Sequence, residues 1–294
     1  MSLNEANTSI TLSAIIPVGG FPNGDSVLKS WVLKQLPPGL EVILVLDSDD
    51  KSVRDAVQEI AAMDSKKNVS VLISHHRNPG STREIGLKAA TGKWICFWDA
   101  DDLPEFSNVW RNVESRENQE ADILIGNYRS VDFESKNEVS HPHGISNPLM
   151  SFYLNPGLWR CVFKRKLLEN VSFPALSMGE DQIFLFHSIN ESRSIKFVDD
   201  NFYNYYQYPT GQLTKSNDIS TDLVKARNLC KEIYSSRQNN YLLAAILRQD
   251  LTLIKRGSPS IKFITIIDLL ILSARSLNNM KTLFRVLTMV QHGI

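Results

Sequence analysis

The segment Ile95-Cys96-Phe97-Trp98-Asp99-Ala100-Asp101-Asp102 runs an unbroken apolar stretch straight into three carboxylates within four positions. An unbroken run, unlike an alternating one, suits a strand covered on both faces, and such strands belong to parallel sheets with helices on either side. Three more stretches have this form: Ile10 to Val18, which enters Gly19-Gly20; Glu41 to Leu46, which enters Asp47-Ser48-Asp49-Asp50; and Asn68 to Ser74. Between the last of these and the acidic strand, Ser81 to Ala90 has helical spacing, with Ile85 and Ala89 on one face and Gly80 and Gly92 as start and stop signals. Gly86 lowers the helical propensity of that stretch, so its reason for being there is the close approach of a neighbour or a ligand. Strands alternating with helices predict an α/β fold, whose ligands gather beyond the carboxyl ends of the strands. Asp47 and the Asp99 to Asp102 cluster both stand at such ends.

Carboxylates this close repel one another unless a cation neutralises them. Oxygen donors with no Cys or His pair beside them suit a hard divalent ion, Mg2+ or Mn2+, which keeps some waters and completes its shell from a phosphate. The pattern therefore predicts a metal and a phosphorylated ligand at the end of this strand. The competing reading is an acidic strand-to-turn junction followed by Pro104.

The succession of loop, Arg83-bearing helix, Gly92 turn, apolar strand and Asp99-x-Asp101-Asp102 closely resembles the donor-binding half of family two glycosyltransferases, the large inverting group with the GT-A fold. The resemblance implies a Rossmann-like, mostly parallel sheet with helices on both faces, followed by a C-terminal helical region. It also implies metal-dependent, inverting transfer of a hexosyl-type sugar from a nucleotide-diphosphate sugar, by default a UDP-sugar. The acceptor would be a hydroxyl of a saccharide or lipid-linked saccharide, in cell-surface polysaccharide or glycolipid synthesis. By position in the motifs, Pro17, Asp47, Arg83, Asp99 and Asp101 bind the nucleotide-sugar. Asp47 reads base or ribose, Asp99 contacts ribose or metal-bound water, and Asp101 holds the metal. Asp102 is a further ligand or a supporting carboxylate. Arg83 contacts the nucleotide or diphosphate, or else forms a surface salt bridge. The chain departs from the family pattern at Gly19-Gly20, where an aromatic residue and Asn are usual, and at Glu84, where Asn usually follows the Arg.

Met178 to Phe186 resembles the family's second signature, an acidic pair opening a helix. Carboxylates in a first helical turn also interact favourably with the helix dipole. The resemblance makes Asp181 the general base, with Glu180 supporting it; a carboxylate suits that task because it can take the proton of an attacking hydroxyl within hydrogen-bond reach. Trp159, in the segment Pro156 to Arg165, is either a sugar-stacking platform of the acceptor pocket or a core aromatic. Asn201 to Tyr208 and the loop that follows resemble the family's closing strand and lid, with Gln207, Thr214 and Lys215 as candidate lid residues.

Lys plus Arg equals Asp plus Glu at 32 each, which argues against a nucleic-acid partner. Cys96, Cys161 and Cys230 are dispersed without metal spacing, as expected of reduced thiols in a cytoplasmic protein, and no charged start leads into an apolar leader. His141 and His143 flank Pro142 in a polar stretch that reads as an exposed turn, and His75, His76 and His187 read as structural. The expected organisation is a catalytic domain over 1–215, with its donor half at about 10–105 and its acceptor half at about 106–215, then a helical region over 216–294.

In that region the periodicity predicts helices at Leu223 to Tyr234, Tyr241 to Lys255, Ile261 to Leu277 and Met280 to Gln291. The very apolar stretch from Ile261, interrupted by Lys262 and Asp268, is too short to span a membrane. It is read as a helix buried on the catalytic domain or in a homodimer, or, with the nearby Lys and Arg, as a peripheral contact on the inner face of the membrane. Two other enzyme classes fit less well. A sugar-phosphate nucleotidyltransferase would carry a basic residue in the loop Gly19 to Gly24, and a dinucleotide oxidoreductase a G-x-G-x-x-G there. A catalytically inactive nucleotide-sugar-binding protein is the remaining alternative.

Overall fold

A computed structural model describes residues 10–21, 24–32, 36–64, 68–143, 147–208, 220–236, 240–274 and 281. The four apolar stretches form β1 (Leu12–Val18), β2 (Leu40–Leu46), β3 (Val69–Ile73) and β4 (Trp94–Phe97), interleaved with α1 (Ser26–Val32), α2 (Lys51–Met63) and α3 (Pro79–Ala89). They pair in the order β3-β2-β1-β4, every pair parallel. Side chains alternate across the sheet, which explains why these strands need apolar residues at consecutive positions. Leu12, Ala14, Ile16, Trp94 and Cys96 enter one core beneath α1 and α2. Ile15, Ile43, Val45, Ile95 and Phe97 enter another on the opposite side.

The third helix begins at Pro79 rather than at Ser81, because Asn78 caps it by accepting from the Ser81 N–H at 2.8 Å and Pro79 fills a first-turn position whose N–H has no helical partner anyway. Gly86 sits where α3 meets the sheet: a Cβ there would lie 2.4 Å from Ile15 Cγ2 and 3.1 Å from Val45 Cγ2. The close approach expected of this glycine is therefore to two core strands. Gly86→Ala gains about 1 kcal/mol of helix propensity but forces overpacking that costs about 1 to 3 kcal/mol, so a net loss of stability in chemical denaturation is the expected result.

Beyond β4 the chain forms β5 (Leu103–Pro104), α4 (Phe106–Glu114), β6 (Ile123–Asp132), β7 (Glu138–His141), α5 (Pro148–Leu154), β8 (Cys161–Lys164), α6 (Glu180–Glu191) and β9 (Ile195–Gln207). These extend the sheet as β4-β8-β6-β9-β5, with β7 pairing with Tyr128 to Val131 of β6, beyond the stretch that pairs with β8. Strand β8 runs antiparallel to both β4 and β6, while β6 and β9 pair in parallel. The closing strand is thus longer than the Tyr-rich stretch suggested, starting six residues before Asn201. His141 belongs to β7, where it stacks on Tyr128 with centroids 4.3 Å apart and shares a hydrogen bond with Ser130, so it is no bare turn residue.

Three helices follow, α7 (Ser220–Ser236), α8 (Asn240–Arg256) and α9 (Pro259–Ala274). Leu242 to Leu247 of α8 are buried in the same core as α5 and α6, so this helical layer covers one face of the sheet. Arg227 pairs with the fully buried Asp250, and Arg227 and Lys231 each reach Asp268 at 2.9 Å, tying α7 to both α8 and α9. The expected domain boundary at 215 and the helix at 280–291 lie outside the described residues.

Candidate active site

The two acidic motifs meet because two glycines let three elements come together. Gly179 has φ +82°, a left-handed turn that swings the chain into α6 and leaves Glu180 and Asp181 in its first turn; a Cβ there would meet Ala226 at 2.8 Å. Gly80, in the first turn of α3, leaves room for the Pro174 carbonyl, which a Cβ would meet at 2.4 Å, and for Glu180 Cγ at 3.1 Å. The starts of α3 and α6 therefore touch.

Arg83 lies at this junction, 8% exposed. Its Nη2 donates to Asp99 Oδ1 at 2.8 Å and its Nη1 to Glu180 Oε1 at 2.7 Å. Burial by itself would weaken the charged guanidinium, but Asp99, Glu180 and Asp181 together more than offset this and hold it protonated. The salt bridge anticipated as a surface feature is thus a buried tie between the acidic strand end and the acidic helix start. Burial likewise pushes Asp181 above the usual carboxylate range, and Asp99 adds to the effect, while Arg83 and the Gln182 N–H, which donates to Asp181 Oδ1 at 2.8 Å, pull it down. Glu180 rises to about 7 through burial and the nearby Asp181.

The acidic turn is held from the far side by β9. Asp99 N–H donates to the Tyr203 hydroxyl oxygen at 3.0 Å, and the buried Asp102 accepts from the Tyr206 N–H at 2.7 Å and from the Tyr203 hydroxyl. The Tyr208 hydroxyl donates to the Asp101 carbonyl. With Asp102 and Asp99 so engaged, the Asp101 carboxyl has among the described residues only its own backbone N–H, and burial with the adjacent Asp99 raises it to about 6. Among the described residues no group of three or more His, Cys, Asp or Glu is arranged to hold a metal alone. The donor set does fit an ion shared with a diphosphate: a carboxylate raised by burial and by the charge of Asp99, with no side-chain partner among the described residues.

At the end of β2, Asp47 Oδ2 accepts from Thr82 Oγ1 at 2.7 Å, whereas its Oδ1 is buried with no partner among the described residues. Such orphaned acceptors are uncommon and point to a missing donor. Asp47, Ser48, Asp49, Ser74, His75 and Arg77 line a polar depression there. Pro17, half-buried, stands one residue from the end of β1, opposite Val45. Trp159 is half-buried in an aromatic stack, with Tyr203 at 4.8 Å, Tyr205 at 5.8 Å and Tyr128 edge-on at 4.7 Å. Gln207 closes β9 and is exposed; Thr214 and Lys215 lie outside the described residues. Sequence reasoning did not single out Tyr203, Tyr206 or Thr82; the tyrosines stood out as a dense run but read equally well as cross-strand packing.

The family model described as glycosyl transferase family 2 matches residues 26–178, just over half of the chain. The chain belongs to that family. This glycosyltransferase is 24% identical over 205 residues to the Escherichia coli UDP-Glc:alpha-D-GlcNAc-diphosphoundecaprenol beta-1,3-glucosyltransferase WfaP, covering 68% of this chain and 78% of that one. Its fold is similar to that of Staphylococcus aureus TarS 1-349 in complex with UDP-GlcNAc, with a TM-score of 0.68, 18% identity, and coverage of 85% of this chain and 77% of that one. It is also similar to the mannosyltransferase PcManGT from Pyrobaculum calidifontis in complex with GDP-Man and Mn2+, with a TM-score of 0.55, 16% identity, and coverage of 94% and 84%. The glycosyltransferase spans between 53% and 67% of the length of three other curated relatives. The GT-A architecture, with helices on both faces of a mostly parallel sheet and further helices at the C-terminal end, is what the resemblance implied. No described helix is long and apolar enough to cross a membrane.

Proposed function

We propose that this glycosyltransferase carries a sugar from a nucleotide-diphosphate donor, UDP-sugars first, to a hydroxyl of a saccharide or lipid-linked saccharide, inverting the anomeric carbon, in polysaccharide or glycolipid synthesis. The observation that carries the reading is the buried Arg83, which joins Asp99 to Glu180 and so brings the two acidic motifs to one place. The donor choice is supported by the names of WfaP and of the TarS complex, both of which cite UDP-sugars, and the lipid-linked acceptor by that of WfaP.

Asp181 takes the proton of the acceptor hydroxyl as its oxygen attacks the anomeric carbon from the side opposite the diphosphate. The bond between that carbon and the phosphate oxygen breaks with the electron pair leaving on the nucleoside diphosphate, so one displacement inverts the centre and no covalent enzyme intermediate forms. Asp101 would hold Mg2+ or Mn2+, which supplies countercharge for the leaving diphosphate when bound; the PcManGT complex with Mn2+ supports that choice. Asp99 and Asp102 set the position of Asp101, and Glu180 does the same for Asp181. Arg83 keeps its positive charge beside the site that receives the diphosphate. The orphaned Oδ1 of Asp47 accepts from a ribose hydroxyl or a base N–H, with Pro17 beside it. Trp159 offers a ring to the acceptor sugar, and Gln207, Thr214 and Lys215 close over the diphosphate. In this reading 1–215 is the catalytic domain and 216–294 a helical region, and the buried free thiols Cys96, Cys161 and Cys230 suit the reducing cytoplasm.

A thermal-shift screen of UDP, GDP, dTDP, CDP and ADP, each with and without Mn2+, tests the donor site. At about a hundredfold excess over Kd, the matching nucleotide adds about 2.7 kcal/mol, a rise of several degrees in Tm. The expected result is a rise with UDP that needs Mn2+ and is lost in Asp101→Asn. No shift for any nucleotide, or an unchanged shift in Asp101→Asn, overturns the assignment. Binding without transfer to any acceptor would make the protein a binder instead.

A further inference from the structure

Among the described residues, helix α9 is attached by one side only. Thr265 is buried, Leu269 packs on the core, and Asp268 is anchored by Arg227 and Lys231. The other side carries Phe263, Ile264, Ile266, Ile267, Leu270 and Ile271, all exposed, with Phe263 at 66% and Leu270 at 64%. At 3.6 residues per turn these six fall within an arc of about 160°, a continuous apolar face along a helix about 24 Å long. Contiguous apolar surface of this kind marks a docking face rather than ordinary surface scatter.

Charge indicates what lies against it. The chain is neutral, but its charge is divided: residues 251–294 carry six Lys or Arg (Lys255, Arg256, Lys262, Arg275, Lys281 and Arg285) against one acid, Asp268, leaving 26 against 31 in the first 250 residues. The single acid is already paired within the protein. A second copy docked symmetrically on this face would bring two cationic segments together, and residues 275–294 bring three further Lys or Arg and no acid. An anionic bilayer surface offers what these partners lack, acyl chains for the apolar face and negative headgroups for the Lys and Arg of this cationic segment.

We propose that α9 lies flat in the interface of an anionic membrane and holds the protein against it. No described helix meets the length and hydropathy of a span, so the attachment is to one leaflet. The proposal is independent of the transferase reading, since its test measures no activity.

Flotation with vesicles of equal parts phosphatidylglycerol and phosphatidylcholine, and with phosphatidylcholine alone, is the test. The full chain is expected to float with the anionic vesicles at low salt, with binding reduced at least tenfold by the paired substitutions Ile267→Glu and Leu270→Glu and weakened by added salt. Both positions are exposed, so the variant should keep the wild-type Tm. Wild-type protein that stays in the soluble fraction, or a variant that floats equally well, overturns the proposal. So does a dimer by light scattering that the same pair dissociates without any flotation, or flotation that appears only after residues 275–294 are removed.

Discussion

Asp181→Asn is expected to lower the turnover number about a thousandfold, the middle of the range for loss of a general base, while leaving nucleotide binding unchanged. The amide has the shape of the carboxylate and can still accept from the Gln182 N–H, so the helix start should survive. What it lacks is a site for the acceptor's proton. The same residue sets the acid side of the pH profile. Burial raises Asp181 above the ordinary carboxylate value, so as pH falls the base is lost at a higher pH than an exposed carboxylate would be. The two groups interact, so the macroscopic steps belong to the pair. The acid limb of kcat/KM against pH should therefore lie above the unperturbed carboxylate value of about 4; a limb at that value would contradict the assignment, as would an Asn variant of near-normal turnover.

Arg83→Met should be the most destabilising change at the site. It removes the only cation that pairs with Asp99 and Glu180 among the described residues, and Glu180 is nearly inaccessible, with 6% of its side chain exposed. Breaking a buried pair by deleting one partner costs about 3 to 5 kcal/mol, because the remaining charge stays buried without compensation. In a chain of this size that corresponds to a fall in Tm of about 5 to 8 °C. Adding Glu180→Gln to Arg83→Met should recover part of the loss, and this recovery separates release of a stranded charge from mere loss of packing. Arg83→Lys should retain charge but not the fork that reaches two carboxylates at once, giving an intermediate Tm and reduced turnover. A methionine variant as stable as wild type would show that the ion pairs do not hold the two motifs together.

The donor half was legible because its signals are local. An unbroken apolar run, and a helix with an obvious glycine, are read within ten residues, and they pointed to β1 to β4 and α3 to within a few positions. Strand β6 escaped notice because Gly126 and Asn127 break its apolar run; the structure shows that Gly126 makes room for the Phe202 ring, 2.2 Å from where a Cβ would stand. The first half of β9 was hidden by Asp199 and Asp200, which are polar for reasons outside the strand, Asp200 pairing with Arg111 and Asn112 of α4. Least legible was the tie at Arg83. Its partner Glu180 is 97 residues away, and nothing in the spacing of either motif says that they share a cation. The orphaned oxygen of Asp47 is likewise visible only once Thr82 has been placed beside its twin.

Strand β9 has two duties. Tyr203 and Tyr205 stack on Trp159, while the Tyr203 hydroxyl and the Tyr206 N–H grip the acidic turn that bears Asp101. A slide of this strand along its own axis would disturb the indole's neighbours and the carboxylates in a single motion. The aromatic stack at Trp159 and the acidic turn are therefore mechanically one part, and repacking the first retunes the second.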